Sequence, residues 1–160
     1  MAVWTVYLSL GLLVALNASV ETRPVEKNKD CGTCETGWTA YGCRCFKFFN
    51  DPRIRSSAEF GCLINYKGNL ASVHNHEEYI FIKNLIRRTT HASTPTWIGL
   101  HRVSQYAYWF WSDGTEINYK IWSPGQPSYG KDERCVEMNS AHGNWNDVDC
   151  DEKKPYVCVK

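Results

Sequence analysis

The pattern of apolar and polar positions divides the chain into a leading apolar segment, a short polar stretch and a longer region of mixed character. Residues 3–16 are almost wholly apolar, and charge begins only at Glu21. This run has the length of a signal-peptide core and is too short to span a bilayer comfortably. We therefore predict a signal peptide over residues 1–20, a polar tail over residues 21–30 and one folded domain over residues 31–160.

An amphipathic helix is predicted near the start of the folded region, over residues 56–66. Apolar residues recur there at spacings of three and four, which is the period of one helix face. Gly68 would end the helix. The predicted buried face consists of Phe60, Leu63 and Ile64.

A second helix is predicted to begin after Asn75. Asparagine is a favoured N-cap, and Glu78 three residues later completes the pattern of a capping box. Paired arginines, Arg87 and Arg88, suit the negative carboxyl end of the helix. The predicted buried stripe consists of four apolar residues: Phe81, Ile82, Leu85 and Ile86.

Short aromatic and β-branched runs in the second half of the chain predict strands at residues 97–100, 108–111 and 156–159. Residues 123–143 are rich in Gly, Pro, Ser and Asn, so this segment is predicted to form long loops. Loops of that length inside a compact domain usually carry function. Because the predicted helices precede these strands, the sequence favours an α+β fold.

The composition narrows the class of protein. The chain has 18 Lys and Arg against 17 Asp and Glu, without a basic cluster, which argues against a nucleic acid or an anionic membrane as partner. Eight cysteines in 160 residues favour an oxidising compartment and a disulfide framework. We therefore expect a secreted, extracellular protein. No nucleophile-elbow motif occurs, and nothing in the sequence argues for an enzyme.

A series of motifs runs along the folded region in a fixed order. It comprises Cys34-Glu-Thr-Gly-Trp38, Cys45, Cys62, Leu70-Ala-Ser72, Trp97-Ile-Gly-Leu100, Trp111-Ser-Asp-Gly114, Gln126-Pro-Ser128, Cys135-Val-Glu137, Trp145-Asn-Asp147, Cys150 and Cys158. Together they resemble the long form of the C-type lectin-like domain, and the whole chain resembles secreted fish lectins and the related type II antifreeze proteins. This resemblance implies two helices packed on short antiparallel sheets, with a long loop region and disulfide links.

The resemblance also implies three disulfide bonds, which are Cys34–Cys45, Cys62–Cys158 and Cys135–Cys150. Two cysteines, Cys31 and Cys43, remain over. They could pair with each other, or Cys31 could bridge two chains. The spacing Cys31-x-x-Cys34 with Cys43-x-Cys45 also leaves a zinc site open.

The family's sugar site gives the candidate functional residues. By resemblance, Ca²⁺ is held by side-chain oxygens and itself takes two sugar hydroxyls as ligands, within a shell of six to eight oxygens. Ser128 departs from the family pattern, which has Asp or Asn there, so one ligand is weakened and calcium use is left open. The implied metal ligands are Gln126, Glu133, Asn146 and Asp147, and the implied sugar-binding residues are these four with Ser128 and Tyr129.

The motif Gln126-Pro127-Ser128 bears on the kind of sugar. By resemblance, it is nearer to the galactose-type motif than to the mannose-type motif, and in this family the peptide bond before Pro127 is cis. Galactose sites often stack an aromatic ring on the sugar. Candidates for that ring are Tyr129, Trp122 and His142, whereas Trp145 is expected in the core.

The sequence is compatible with three functions. The first is a lectin that binds galactosides on microbial or host glycans and agglutinates microbes in innate immunity or mucus, which requires at least a homodimer. The second is a type II antifreeze protein that binds ice. The third is a lectin-like module that binds proteins without sugar or calcium.

Overall fold

The computed structural model describes residues 31–104, 106–140 and 143–160. The predicted signal peptide and polar tail lie outside the described residues. In chain order the elements are β1 (Thr39–Tyr41), β2 (Arg44–Arg53), α1 (Arg55–Tyr66), β3 (Asn69–Leu70), α2 (His76–Thr90), β4 (Thr96–His101), β5 (Phe110–Trp111), β6 (Glu133–Met138), β7 (Asn146–Asp149) and β8 (Lys154–Val159).

The strands belong to one hydrogen-bonded sheet with the path β1-β2-β8-β4-β6-β7, while β3 pairs with β8 and β5 pairs with β4. The pairs are antiparallel except that of β4 with β8, in which Trp97 lies opposite Tyr156. Phe46 in β2 lies opposite Val159 in β8, so segments near the two ends of the described chain are paired in neighbouring strands.

The α+β class is confirmed, but the expected order of helices before strands is wrong, because β1 and β2 precede α1. Of the strand predicted at residues 108–111, only Phe110 and Trp111 form a ladder, which is β5. The strands β6 and β7 were also not predicted, since Gly-rich and Asn-rich stretches surround them.

Helix α1 buries a different face from the predicted one. Phe60, Leu63 and Ile64 are 64%, 49% and 59% exposed, respectively. The buried face consists of the small residues Ala58, Gly61 and Cys62, which let the helix backbone approach the sheet closely. The disulfide from Cys62 to Cys158 in β8 fixes that face toward the sheet. The helical period is therefore right, and the side assigned to the core is wrong.

Helix α2 begins as predicted. The Asn75 side chain accepts a hydrogen bond from the Glu78 amide at 2.7 Å, an N-cap contact worth about 1 kcal/mol. The Glu78 carboxylate does not return to Asn75 as in a capping box; it accepts from the amide of His74 at 2.8 Å and from Arg44 at 2.7 Å. In the predicted stripe Ile82 and Ile86 are fully buried, and Phe81 and Leu85 pack at the edge of the core.

The motif at residues 97–100 forms the centre of β4, and its glycine permits a close contact. The Gly99 amide donates to the carbonyl of Ala71 at 2.9 Å. A Cβ at Gly99 would lie 2.5 Å from the carbonyl oxygen of Leu70, so any larger residue would push the two segments apart. Trp97 and Trp145 are the largest fully buried side chains and lie in the two parts of the core.

Four disulfide bonds cross-link the described part, which contains no free cysteine. They are Cys31–Cys43, Cys34–Cys45, Cys62–Cys158 and Cys135–Cys150. Cys31 and Cys43 therefore pair with each other within the chain, and no cysteine remains for a bridge between chains or for a zinc site. Within residues 31–104, 106–140 and 143–160, neither helix has the length and apolar character needed to cross a membrane.

Candidate ligand-binding site

The hairpin of β6 and β7 carries three of the predicted site residues. Glu133 opens β6 and lies opposite Asp149, while Asn146 and Asp147 open β7 and lie opposite Glu137 and Val136. The bond Cys135–Cys150 ties the two strands together. The loop that contains the other predicted residues, from Gln126 to Gly130, contacts this hairpin.

Asp147 holds the loop by its backbone. Its carboxylate is 1% exposed; Oδ1 accepts from the Ser128 amide at 2.7 Å and Oδ2 from the Tyr129 amide at 2.9 Å. Hydrogen bonds to an ionised carboxylate are about twice as strong as neutral ones, so burial of Asp147 is compensated. Asp147 therefore fixes the two residues that follow the cis Gln126–Pro127 peptide.

Glu133 contacts the same loop through its side chain. Its Oε2 accepts from the Ser128 hydroxyl and from the Gly130 amide, the latter at 3.1 Å. Gly130 has to be glycine for this contact, because a Cβ there would fall on the carboxylate, 2.6 Å from Cδ of Glu133. The serine at position 128 thus contributes a hydrogen-bond donor to Glu133.

The two predicted amide ligands, Gln126 and Asn146, are placed differently. Asn146 donates from Nδ2 to the Glu137 carboxylate at 3.2 Å, and Glu137 is in turn paired with Lys154 at 2.7 Å. The side-chain oxygens of Gln126 and Asn146 are buried and have no hydrogen-bond partner among the described residues. In that part of the chain neither side chain is hydrogen-bonded to Glu133 or Asp147. Neither carbonyl oxygen is therefore satisfied within that part of the chain.

Arg102, which no sequence motif predicted, is hydrogen-bonded to the backbone at the end of the loop from Gln126 to Gly130 and at the start of β6. It is 2% exposed, and Nη2 donates to the carbonyls of Gly130 and Glu133, each at 3.0 Å. The guanidinium carbon lies 5.1 Å from the ring centre of Tyr129 and 5.4 Å from that of Trp109. An arginine after a buried strand belongs to no motif, so the sequence held no signal for this role.

Of the aromatic residues considered for stacking, Tyr129 is the most accessible. It is 55% exposed and has a φ of +57°, a left-handed conformation that is unfavourable for a bulky residue and that often marks functional positions. Trp122 packs between Trp109 and Trp145, with ring centres 5.2 and 5.9 Å away. His142 lies outside the described residues, and Trp145 is fully buried as expected.

The four predicted ligands carry oxygen atoms of the kind that bind a cation, but only two of the four side chains are negatively charged. Calcium takes carboxylate and amide oxygens, and the predicted residues offer two of each. Both oxygens of Asp147 and one oxygen of Glu133 already accept hydrogen bonds. In the part of the chain that the structure describes, no group of three or more His, Cys, Asp and Glu side chains is placed to hold a metal ion.

Comparison with known proteins identifies the class of protein. The family model for the lectin C-type domain matches residues 54–160, about two thirds of the chain, so the protein belongs to that family. The expected resemblance is thereby confirmed.

Particular relatives lie among fish proteins. The chain is 38% identical to the galactose-specific lectin nattectin of Thalassophryne nattereri, over 98% of this chain and 95% of the relative. It is 37% identical to the lactose-binding lectin l-2 of Anguilla japonica (80% and 78% covered) and 36% identical to a type-2 ice-structuring protein of Osmerus mordax (82% and 74% covered). Among solved structures, human lithostathine superposes with a TM-score of 0.74 at 34% identity, over 79% of this chain and 98% of that one.

Proposed function

We propose that the protein is a secreted lectin that binds galactosides and acts by binding rather than by catalysis. The observation that carries the proposal is the convergence of Ser128, Tyr129, Glu133 and Asp147 in one hydrogen-bonded loop at the β6–β7 hairpin. These groups supply carboxylate and hydroxyl oxygens beside an exposed aromatic ring, which is the chemistry that a saccharide needs.

The preference for galactose rests on the motif Gln126-Pro127-Ser128 and on Tyr129. An amide at Gln126 can both donate to and accept from neighbouring sugar hydroxyls, whereas a carboxylate can only accept. The ring of Tyr129 offers a face on which the apolar side of a galactose can lie. The names of two relatives, a galactose-specific and a lactose-binding lectin, support the same choice.

A calcium ion fits the site as a weakly held ligand. Gln126 and Asn146 would contribute their unpaired amide oxygens, and Glu133 and Asp147 would contribute carboxylate oxygens. The ion would supply a Lewis acid that takes sugar hydroxyls as ligands. Because the hydroxyl of Ser128 replaces a third charged or amide group, we expect lower calcium affinity than a site with Asp or Asn at that position would have.

Secretion and agglutination complete the proposal. Four disulfide bonds are typical of proteins from an oxidising, extracellular compartment. The apolar segment at residues 3–16 would act as the signal peptide for export. Agglutination of microbes in mucus or plasma needs at least two sites on one particle, so we propose a homodimer or larger assembly.

The test is a glycan array probed with the purified protein in calcium and again in a chelator. The expected result is binding to galactose-terminated glycans, weakened by the chelator. Binding to mannose-terminated glycans alone would refute the sugar preference, and the absence of any binding in both buffers would refute the lectin assignment.

Ice binding is the second candidate, because a type-2 ice-structuring protein is 36% identical to this chain over 82% of its length. A measurement of thermal hysteresis, the difference between the melting and freezing points in a solution of the purified protein, tests for ice binding. A freezing point lowered below the melting point, together with no glycan binding, would favour the ice-binding function; no hysteresis would remove it.

A further inference from the structure

A buried series of polar contacts connects β8 to Asn146 of the candidate site. Nδ2 of Asn146 donates a hydrogen bond to Oε1 of Glu137 at 3.2 Å, and Oε2 of Glu137 forms an ion pair with Nζ of Lys154 at 2.7 Å. The side chains of Glu137 and Lys154 are only 7% and 11% exposed. Each oxygen of the Glu137 carboxylate therefore faces a nitrogen, and one of these nitrogens belongs to a predicted ligand residue.

The register of the sheet brings these side chains together. Glu137 in β6 lies directly opposite Asn146 in β7, and side chains at directly opposite positions of antiparallel strands are neighbours on one face of the sheet. Glu137 also lies opposite Trp97 in β4. Nζ of Lys154 lies 5.4 Å from the ring centre of Trp97, so Lys154 contacts Glu137 beside that buried ring. The contact is therefore set by paired strands and not by the loops around the site.

The chemistry of the two side chains determines which way the Asn146 amide is turned. An ionised carboxylate only accepts hydrogen bonds, whereas an amide has donor hydrogens on its nitrogen and an acceptor on its oxygen. Glu137 can therefore be contacted favourably only by Nδ2 of Asn146. If the amide were turned over, its oxygen would face the carboxylate with no proton between them. Oδ1 of Asn146 consequently points away from Glu137.

The oxygen that is turned away from Glu137 lacks a partner of its own. Oδ1 of Asn146 is buried and accepts no hydrogen bond from any residue that the structure describes. A buried acceptor left in that state costs about 1–3 kcal/mol, and a cation or a sugar hydroxyl would satisfy it. The hydrogen bond from Nδ2 to an anion also polarises the amide, which makes its oxygen a stronger acceptor.

We infer that Glu137, held by Lys154, is a positioning residue that keeps the amide oxygen of Asn146 turned toward the ligand. Asn146 then coordinates a cation or accepts from a sugar hydroxyl, and it cannot donate to the ligand. Glu137 acts through Asn146 and does not touch the ligand itself. This inference rests on the proposed function, in which Asn146 belongs to the site.

The test compares Glu137→Gln with the double variant Glu137→Gln/Asn146→Asp, which keeps the net charge of the wild type. In the single variant the new amide can donate to Oδ1 of Asn146, so the Asn146 amide can turn over. Titration calorimetry should then show a calcium Kd at least about tenfold weaker, as is typical when the partner of a metal ligand is lost. The double variant should bind calcium at least as tightly as the wild type, because both arms of a carboxylate carry oxygen. A purely structural role of Glu137 would not give this recovery.

Two further variants separate positioning from folding. Lys154 keeps a second carboxylate partner, Glu152, at 2.6 Å, so Glu137→Gln does not leave it without a counter-charge. The variant Glu137→Gln/Lys154→Met removes both members of the buried ion pair and should show the same loss of calcium affinity as Glu137→Gln. The control Glu152→Gln removes the more exposed partner of Lys154 without touching Asn146, and it should keep the wild-type Kd.

Galactose, titrated into the same proteins with and without calcium, distinguishes failure of the inference from failure of the proposed function. An unchanged calcium Kd in Glu137→Gln would overturn the inference and leave the proposed function intact. A loss that persists in the double variant would overturn it too, since Glu137 would then only support the fold. If the wild type binds galactose without calcium, the Kd for galactose should show the same loss and recovery, and its constancy would overturn the inference. Absence of both calcium and galactose binding by the wild type would overturn both.

Discussion

The hydroxyl of Ser128 donates a hydrogen bond to Oε2 of Glu133, and this contact links the residue after the cis proline peptide to the start of β6. A neutral donor at this position holds the carboxylate in place without a cation. An acidic residue at the same position would instead face Glu133 with a like charge, which only a bound cation would compensate.

We therefore expect Ser128→Asp to make the protein depend on calcium. Repulsion between the new carboxylate and Glu133 should lower the melting temperature in chelator, and calcium should bind at least about tenfold more tightly, a gain of about 1.4 kcal/mol. Melting curves at increasing calcium check this, because a ligand of the folded state raises the melting temperature by an amount that grows with the logarithm of its concentration over its Kd.

The matched control is Ser93→Asp, which adds the same charge at an exposed position after α2. It should leave the response to calcium as in the wild type. If the Ser128→Asp protein shows the same calcium response as this control, the assignment of position 128 to a cation site is wrong.

Gly130→Ala should impair ligand binding with little effect on stability. The added Cβ would lie against the Glu133 carboxylate, and the half-buried side chain of Glu133 can rotate away at small cost, so the site changes and the fold does not. We expect at least about a tenfold weaker Kd for galactosides, equivalent to about 1.4 kcal/mol, in calorimetric titration.

Gly42→Ala is the contrasting variant. Its Cβ would meet nothing within 4 Å, but its φ of +57° is strained for alanine. It should cost about 1 kcal/mol of unfolding free energy and leave the galactoside Kd unchanged. Wild-type sugar affinity in Gly130→Ala would contradict the placement of Glu133 at the site.

His101 should make the protein less stable in mild acid. Burial, followed by the positive charge of Arg55, lowers the pKa of His101 below its ordinary value of 6.5. The unfolded chain then takes up a proton that the folded protein does not. This contribution to stability is complete above pH 6.5 and is lost as the pH falls below that value and through the folded pKa.

Urea unfolding at several pH values between 7.5 and 5 measures this effect. The variant His101→Gln should show a shallower loss of unfolding free energy over that range than the wild type. His91→Asn, at the exposed carboxyl end of α2, serves as the control and should retain the wild-type slope. Identical slopes in all three proteins would show that His101 does not carry the pH dependence.

The disulfide bonds should contribute unequally. Cys62–Cys158 closes a separation of 96 residues, for which the chain-entropy model gives about 4–5 kcal/mol. Cys31–Cys43 spans nearly the same loop as Cys34–Cys45, so its removal releases little extra chain entropy. In chemical denaturation Cys62→Ala/Cys158→Ala should lose several-fold more unfolding free energy than Cys31→Ser/Cys43→Ser. Equal losses of unfolding free energy would contradict this account of the two overlapping loops.

Local signals predicted local structure well. Asn75 marks the start of α2 because an N-cap depends on neighbouring residues only, and Ile82 and Ile86 follow from the helical period. The face of α1 could not be predicted in this way. Its orientation depends on Cys62 reaching Cys158, a contact between positions far apart in the chain.

The candidate site was predictable only through resemblance. Nothing local to Glu133 or Asp147 indicates that both contact the loop at Ser128, since their meeting depends on the register of β6 and β7. Arg102 shows the limit of motif analysis, because its role lies in carbonyl contacts that leave no residue pattern.

The support of the loop by Arg102 and Asp147 has a consequence for where such a protein can work. Both residues belong to the same chain as the loop, so folding itself gives the loop its conformation, without a bound ion. A change of calcium concentration in the surrounding fluid would then alter the affinity for a glycan, while the conformation of the binding surface stays the same.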